Sequence, residues 1–185
     1  MNLSALKSPP FRSYVVSLHL ALNGFWAQRV IIGWLAWEMT GSAGFVGLVA
    51  FLNFFPTLFV SPLFGVFADR IDVRKGSILS YALAGILSAL FAGLCIFGSL
   101  TPVLLALFSF VTGAISSANH PMRMSLTPRL APAGDLPSVV AITSLNFNMS
   151  RLTGPAIGGI LIQTIGAPLA FAVTAVTYAA PVTAI

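Results

Sequence analysis

The sequence predicts an all-α integral membrane protein, and three observations carry that reading. The chain is 57% hydrophobic and 7% charged, whereas soluble domains run near a quarter charged. Apolar stretches of about twenty residues recur along it, the length a helix needs to cross a bilayer. Ten of the thirteen charges fall outside those stretches. Thirteen charged residues in 185 cannot give a soluble core a polar surface.

The apolar runs place six spans near residues 13–38, 43–67, 77–98, 102–121, 138–163 and 167–185. The breaks have turn chemistry: Thr40-Gly41-Ser42, Gly98-Ser99 with Pro102, the segment from Pro128 to Pro137, and Gly166 with Pro168. Lys7 and Arg12 precede the first span, Arg70, Arg74 and Lys75 follow the second, and Arg123 and Arg129 follow the fourth. The breaks after the first, third and fifth spans hold no Lys or Arg. Basic residues collect on the cytoplasmic side of membrane proteins, so the N-terminus is expected there. Residues 1–12 then form a cytoplasmic tail ahead of a six-helix unit at 13–185. The opening MNLSALKSPPFRSY is followed by no small-residue cleavage site, so the first span reads as a retained anchor. The last span reaches Ile185 without a closing basic cluster, so the array is expected to be one part of a larger one.

The net charge of +5 sits in loops between spans and gives no reason to expect a nucleic-acid partner. Cys95 is alone and lies in an apolar run, which excludes an internal disulfide. No glycine-rich phosphate loop, metal-ligand cluster or nucleophile with a plausible base is present. Catalytic residues, metal and cofactor are therefore all expected to be none.

The densest charge cluster is GVFADRIDVRKG, Gly65 to Gly76, with Asp69, Arg70, Asp72, Arg74 and Lys75 in seven positions. This loop resembles the G-x-x-x-D-R-x-G-R-[RK] signature of the major facilitator superfamily. Asp72 stands where glycine is usual, and Val73 where a basic residue is usual. QRVIIGWLAWEMTGSA (Gln28 to Ala43) and NMSRLTGPAIGG (Asn148 to Gly159) resemble the branch of enterobactin-type siderophore exporters and macrolide efflux proteins. The resemblance implies the N-terminal six of twelve helices, with a missing C-terminal six-helix half as partner. It implies that Gly65, Asp69, Arg70 and Arg74 form a cytoplasmic gate, Asp69 latching the two halves. The plain alternative is a solvated loop that only sets topology. Gly154-Pro155 and Gly158-Gly159 resemble the end of the antiporter motif of drug–proton exchangers, with Ser150 and Ala141 at its upstream glycine positions. Glycines let helices approach closely and proline bends them, so Gly154, Pro155, Gly158 and Gly159 are read as hinge and packing residues.

Two arginines lie inside spans. A charge at the bilayer centre costs about 2.5–3.5 kcal/mol on insertion scales and normally faces a cavity or a partner. Ser144, Asn148, Arg151, Pro155 and Ile162 share one stripe that is expected to face the protein interior. On the first span His19, Asn23, Trp26, Gly33 and Trp37 share a face, with Arg29 on its flank. Asn23, Trp26, Arg29, Asn148 and Arg151 are the substrate-cavity candidates. For Arg151 the competing role is tying backbone carbonyls together; for Arg29 it is snorkelling outward. His19 and His120 read as hydrogen-bonded structural residues, and Ser109, Gly113, Ser116 and His120 share a face that packs or lines the cavity. Neither Asp nor Glu lies in the central zone of any span, so the coupling group is Asp69, Glu38, a histidine or, the preferred reading, a carboxylate of the other half.

The resemblance implies a secondary transporter in the bacterial inner membrane, surrounded by lipid and exporting a small amphiphilic or anionic compound by proton-coupled alternating access. Two readings stay open beside it: an importer of the same superfamily, and a truncated or non-transporting protein that only pairs with another half.

Overall fold

The structure is a computed structural model that describes residues 4–67, 72–132 and 134–185. Among these residues every regular element is helical. A 3-10 turn at Ser4–Lys7 leads into α1 (Pro9–Thr40), followed by α2 (Ala43–Phe54), α3 (Thr57–Phe67) and α4 (Val73–Ile96). Then come α5 (Pro102–Leu126), a 3-10 turn at Thr127–Leu130, α6 (Leu136–Thr177) and α7 (Ala179–Ala184). Five helical stretches are long and apolar enough to cross a membrane.

The expected second span is one stretch with a break in it. Pro56 has no N–H to offer the Leu52 carbonyl. The ladder tightens there, with Leu58 N donating to the Phe55 carbonyl at 3.2 Å and Phe59 N to that of Pro56 at 3.1 Å. The expected third span starts four residues earlier than its apolar run. The Asp72 carboxylate accepts from the backbone N–H groups of Arg74 (3.0 Å) and Lys75 (3.3 Å) and so caps α4. Arg74 and Lys75, expected in a loop, form the first turn of that helix.

The fourth span was expected to end at Pro121, yet α5 runs to Leu126. Proline there leaves the Ser117 carbonyl without its helical donor. The Ser61 hydroxyl of α3 fills the vacancy, donating to that carbonyl at 3.3 Å. A neighbouring helix thus allows proline in mid-span.

The turn expected at Gly166 is present inside α6. Its φ of 77° and ψ of 163° break the helix and lie where only glycine is at ease. The two arms run back on each other. Gly158 packs on Ala27, while Thr177, nineteen residues later, packs on Gly24. A straight helix would carry those residues about 29 Å apart at roughly 1.5 Å per residue. Both arms therefore lie along α1, and α1 with α6 forms the most extensive helix contact in the fold. It is also the most buried of the long helices.

The core is sorted by level. At one end Ile31, Leu35, Val49, Phe91, Phe108 and Phe171 pack together, with Phe91 and Phe108 stacked at 3.9 Å between centroids. At the other, Tyr14, Val73, Leu126 and Tyr178 share a second cluster. The N-terminal 3-10 turn is fastened at that second end. The Ser4 hydroxyl donates to Asp135 Oδ1 (2.7 Å), Ala5 N to Ser138 Oγ (3.2 Å) and Ser8 Oγ to the Leu130 carbonyl (2.8 Å).

Candidate functional site

The apolar helices carry polar side chains inward, and these gather into three groups around α1. The first is a seam between α1 and α6. His19 Nδ1 lies 2.6 Å from Asn146 Oδ1 and 3.0 Å from Ser150 Oγ. Its Nε2 lies 3.1 Å from Asn23 Nδ2, and Asn23 Oδ1 accepts from Thr153 Oγ1 at 2.6 Å. Asn146 Nδ2 also donates to the Val15 carbonyl at 3.1 Å. Small residues make this closeness possible. A Cβ on Gly154 would stand 2.5 Å from Trp26 Cβ, and one on Gly158 would stand 2.8 Å from the Ala27 carbonyl oxygen.

A second group links α1, α4 and α7's leading residue. Gln28 Nε2 donates to Ser88 Oγ at 2.7 Å, and its Oε1 accepts from the Tyr178 hydroxyl at 3.1 Å. Both polar ends of a buried amide are thus satisfied.

The third group is built on Asn53 of α2. Its Nδ2 donates to the Ser109 carbonyl (3.1 Å) and to Thr112 Oγ1 (3.2 Å) on α5, and its Oδ1 accepts from Arg29 Nη2 at 2.7 Å. The α2 backbone at Asn53 lies directly against Gly113, where any Cβ would collide with it. The Arg29 guanidinium is ringed by Phe54 (4.2 Å), Phe25 (4.7 Å) and Trp26 (5.1 Å), measured to the ring centroids. Such cation–π contacts stabilise a partly desolvated charge.

This third group opens into a cavity of about 380 Å³ between α1, α2, α3, α4, α5 and α6. Phe25, Trp26, Phe54 and Phe147 give it aromatic walls; Ser116, Asn119, His120 and Arg123 give it polar ones. Opposite, near the other end, lies a groove of about 500 Å³ with Trp34, Glu38, Cys95 and Gly166 on its walls.

The expected site residues divide among these places. Trp26 and Arg29 line the cavity, and Arg29 reaches Asn53 inside the bundle instead of snorkelling outward. Asn23 is buried in the α1–α6 seam instead. His19 belongs to that seam as a structural residue, whereas His120, with Ser116, lines the cavity. The stripe of Ser144, Asn148 and Arg151 does not face the interior of this chain: all three are exposed. The buried stripe of α6 is Ile142, Asn146, Ser150, Gly154 and Gly158, rotated from it toward α1. Asn148 donates only to the Ser144 carbonyl of its own helix, at 2.9 Å. Arg151 approaches Trp26, at 5.8 Å from the ring centroid.

Of the hinge residues, Gly154 and Gly158 are in tight contact, Pro155 is half-buried, and Gly159 has open space around it. Among the gate residues, Gly65 is exposed in α3 and Arg74 is exposed at the start of α4. Asp69 and Arg70 lie outside the described residues. The sequence reading passed over Asn53, Asn119 and Tyr178; for Asn53 the signal is a lone amide in the apolar run VAFLNFFPT.

Comparison with known proteins agrees with this architecture. The family profile described as transmembrane secretion effector, within the major facilitator group, matches residues 1–185. The staphyloferrin A transporter of Staphylococcus aureus is 26% identical over 165 residues, covering 88% of this chain and 41% of that protein. The multidrug efflux pump Tap of Mycobacterium tuberculosis is 28% identical over 187 residues, 97% of this chain and 44% of the pump. The enterobactin exporter EntS of Shigella boydii is 31% identical over 173 residues, 90% and 40% respectively. The chain thus spans less than half the length of these relatives. No solved structure matches it. From the loop motif, the helical bundle and a profile match along its whole length, the chain belongs to the transmembrane secretion effector family of the major facilitator superfamily.

Proposed function

We propose that this chain is the N-terminal six-helix half of a proton-coupled exporter. It would move a small amphiphilic or anionic compound, a siderophore or a drug, out across the bacterial inner membrane. The observation that carries this reading is the 380 Å³ cavity with aromatic and polar walls enclosed by long apolar helices. Ligand sites of secondary transporters lie near the midplane between two repeats that rock against each other. The length of the relatives supports a second half, and the reversal at Gly166 supports counting the arms of α6 as separate spans.

The cytoplasmic N-terminus is supported by where the charges collect. Lys7, Arg12, Arg74, Lys75, Arg123 and Arg129 lie toward the end of the bundle marked by Tyr14, Val73 and Leu126, whereas Glu38 lies toward the other. In this reading residues 1–12 are a cytoplasmic tail. Gly65, Asp69, Arg70 and Arg74 form the gate, and the exposed Asn148 and Arg151 face the second half across the substrate path. The Gly154–Gly159 segment lets α6 bend while it remains packed on α1.

Inside-out vesicles carrying the full-length protein test the proposal. Acidifying their lumen by respiration should drive uptake of an exported drug or iron-free siderophore, and a protonophore should abolish it. Uptake that ignores the proton gradient would remove the coupling, and movement only in the opposite direction would make the protein an importer. Absence of any movement in either direction, with protein present in the membrane, would favour a non-transporting role.

A further inference from the structure

Taking the transport reading as its basis, we propose that the cavity is built for an aromatic organic anion, with Arg29 seating its acid group and Arg123 adding to the positive potential of the walls. Two arginines line the cavity, and none of its lining residues is Asp or Glu. The acids among the described residues are Glu38, Asp72 and Asp135, and each lies elsewhere: in the opposite groove, at the α4 cap and beside Ser4. Among the described residues the ion pair found is Lys75 with Asp72, at 4.0 Å on the surface. No carboxylate among the described residues stands with these two cationic groups in the cavity, an arrangement that attracts an anion and repels a cation.

The geometry at Arg29 sharpens this. Asn53 is held by two bonds to α5 and accepts from Arg29 Nη2 with a neutral oxygen. That bond orients the fork without neutralising it. Arg29 Nε is buried and has no hydrogen-bond partner, so Asn53 does not exhaust the guanidinium's hydrogen-bonding, and a planar guanidinium matches the geometry of a carboxylate. Around it Phe25, Trp26 and Phe54 present ring faces, and Phe147 stands 6.0 Å from the Arg123 guanidinium. Flat aromatic walls beside a cationic fork select a ligand with an aromatic body and an acid edge. Organic cations, the other large class of amphiphilic drug, are disfavoured here.

Three matched probes separate charge from shape: biphenyl-4-carboxylate, its neutral carboxamide, and 4-phenylbenzylamine, which is cationic. Binding to the purified full-length protein in detergent should be at least tenfold tighter for the carboxylate than for the other two. Arg29→Gln should weaken the carboxylate about tenfold or more and leave the carboxamide unchanged, Arg29→Lys should recover part of the loss, and Arg123→Gln should act in the same direction. Each variant is compared as a monodisperse peak on size exclusion, and Arg123→Gln serves if Arg29→Gln does not fold. Equal binding of the three probes, or equal weakening of all by Arg29→Gln, would overturn the anion site. Uptake into inside-out vesicles that stays proton-driven under that result leaves the exporter reading standing. Selective carboxylate binding without any transport would instead sink the exporter reading alone.

Discussion

Gly158 of α6 lies so close to Ala27 of α1 that a methyl group on it would come within 2.8 Å of the Ala27 carbonyl oxygen and 2.9 Å of its Cα. The neighbouring Gly159 has nothing within 4 Å. Helix pairs in membranes associate through such small-residue contacts because lipid supplies no hydrophobic drive between them. Gly158→Val should therefore destabilise the bundle by about 1–3 kcal/mol, the usual penalty of overpacking. Gly159→Ala should raise stability slightly, by about 0.5–1 kcal/mol, because glycine is the poorer residue inside a helix. Thermal unfolding of the two variants in detergent checks the contrast.

The Asn53 amide joins α1, α2 and α5, and its loss should be felt on all three. Asn53→Leu removes the acceptor from Arg29 and a donor from α5, leaving buried polar atoms unpaired at about 1–3 kcal/mol. Asn53→Asp retains the acceptor and adds a counter-charge for Arg29, but it loses the donor to the Ser109 carbonyl. It should fold with lower stability than the native protein and lose binding of biphenyl-4-carboxylate, measured by titration of the monodisperse fraction against the native protein.

In the α1–α6 seam, Asn146→Leu should lower the unfolding temperature because it strips the acceptor from His19 Nδ1 and frees the Val15 carbonyl. Asn148→Leu, two positions on, removes only a bond within its own helix. Its stability should match the native protein, so any change it makes should appear in transport assays alone.

Around the charged loop, Asp72 and Asp69 should separate cleanly. Asp72→Ala removes the cap of α4 and should cost about 1 kcal/mol of stability. Asp69→Asn should abolish export with membrane levels unchanged, as quantified in vesicles by immunoblot and uptake. Export that persists in Asp69→Asn would reduce the loop to a topology signal.

Much of the helical layout was legible because its cues are local: Gly166 and Pro168 for the reversal, Gly41 for the end of α1, Pro102 for the start of α5. Pro56 and Pro121 were less legible, since whether a proline breaks a membrane helix depends on what its neighbours offer. Ser61 rescues the carbonyl freed by Pro121, whereas the helix reorganises at Pro56. The facing of α6 was misread through weighting charge. Arg151 and Asn148 suggested an inward stripe, but the smallest residues, Gly154 and Gly158, set which side α1 can approach. Arg29 and Trp26 were cavity candidates, from an intramembrane charge and a shared helix face, and both line the cavity, although outward snorkelling of Arg29 stood open in the sequence. Asn23 stands at the same level as Trp26 but turns to the seam, a distinction that only the packing of α6 decides. Asn53 escaped notice because one amide in an aromatic run has no periodic partner in sequence; its partners, Ser109 and Thr112, arrive from another helix.

One helix carries both the cavity wall and the seam. Arg29 and Trp26 face the cavity from α1, while Asn23 and Ala27 of the same turns are zipped to α6. A helix held by its own backbone ladder moves as a rod, so in the exporter reading a guest that pushed on Arg29 would also pull on His19 and Gly158. Filling the cavity and tilting the arm beyond Gly154 would then be two ends of one lever, with α1 as its shaft.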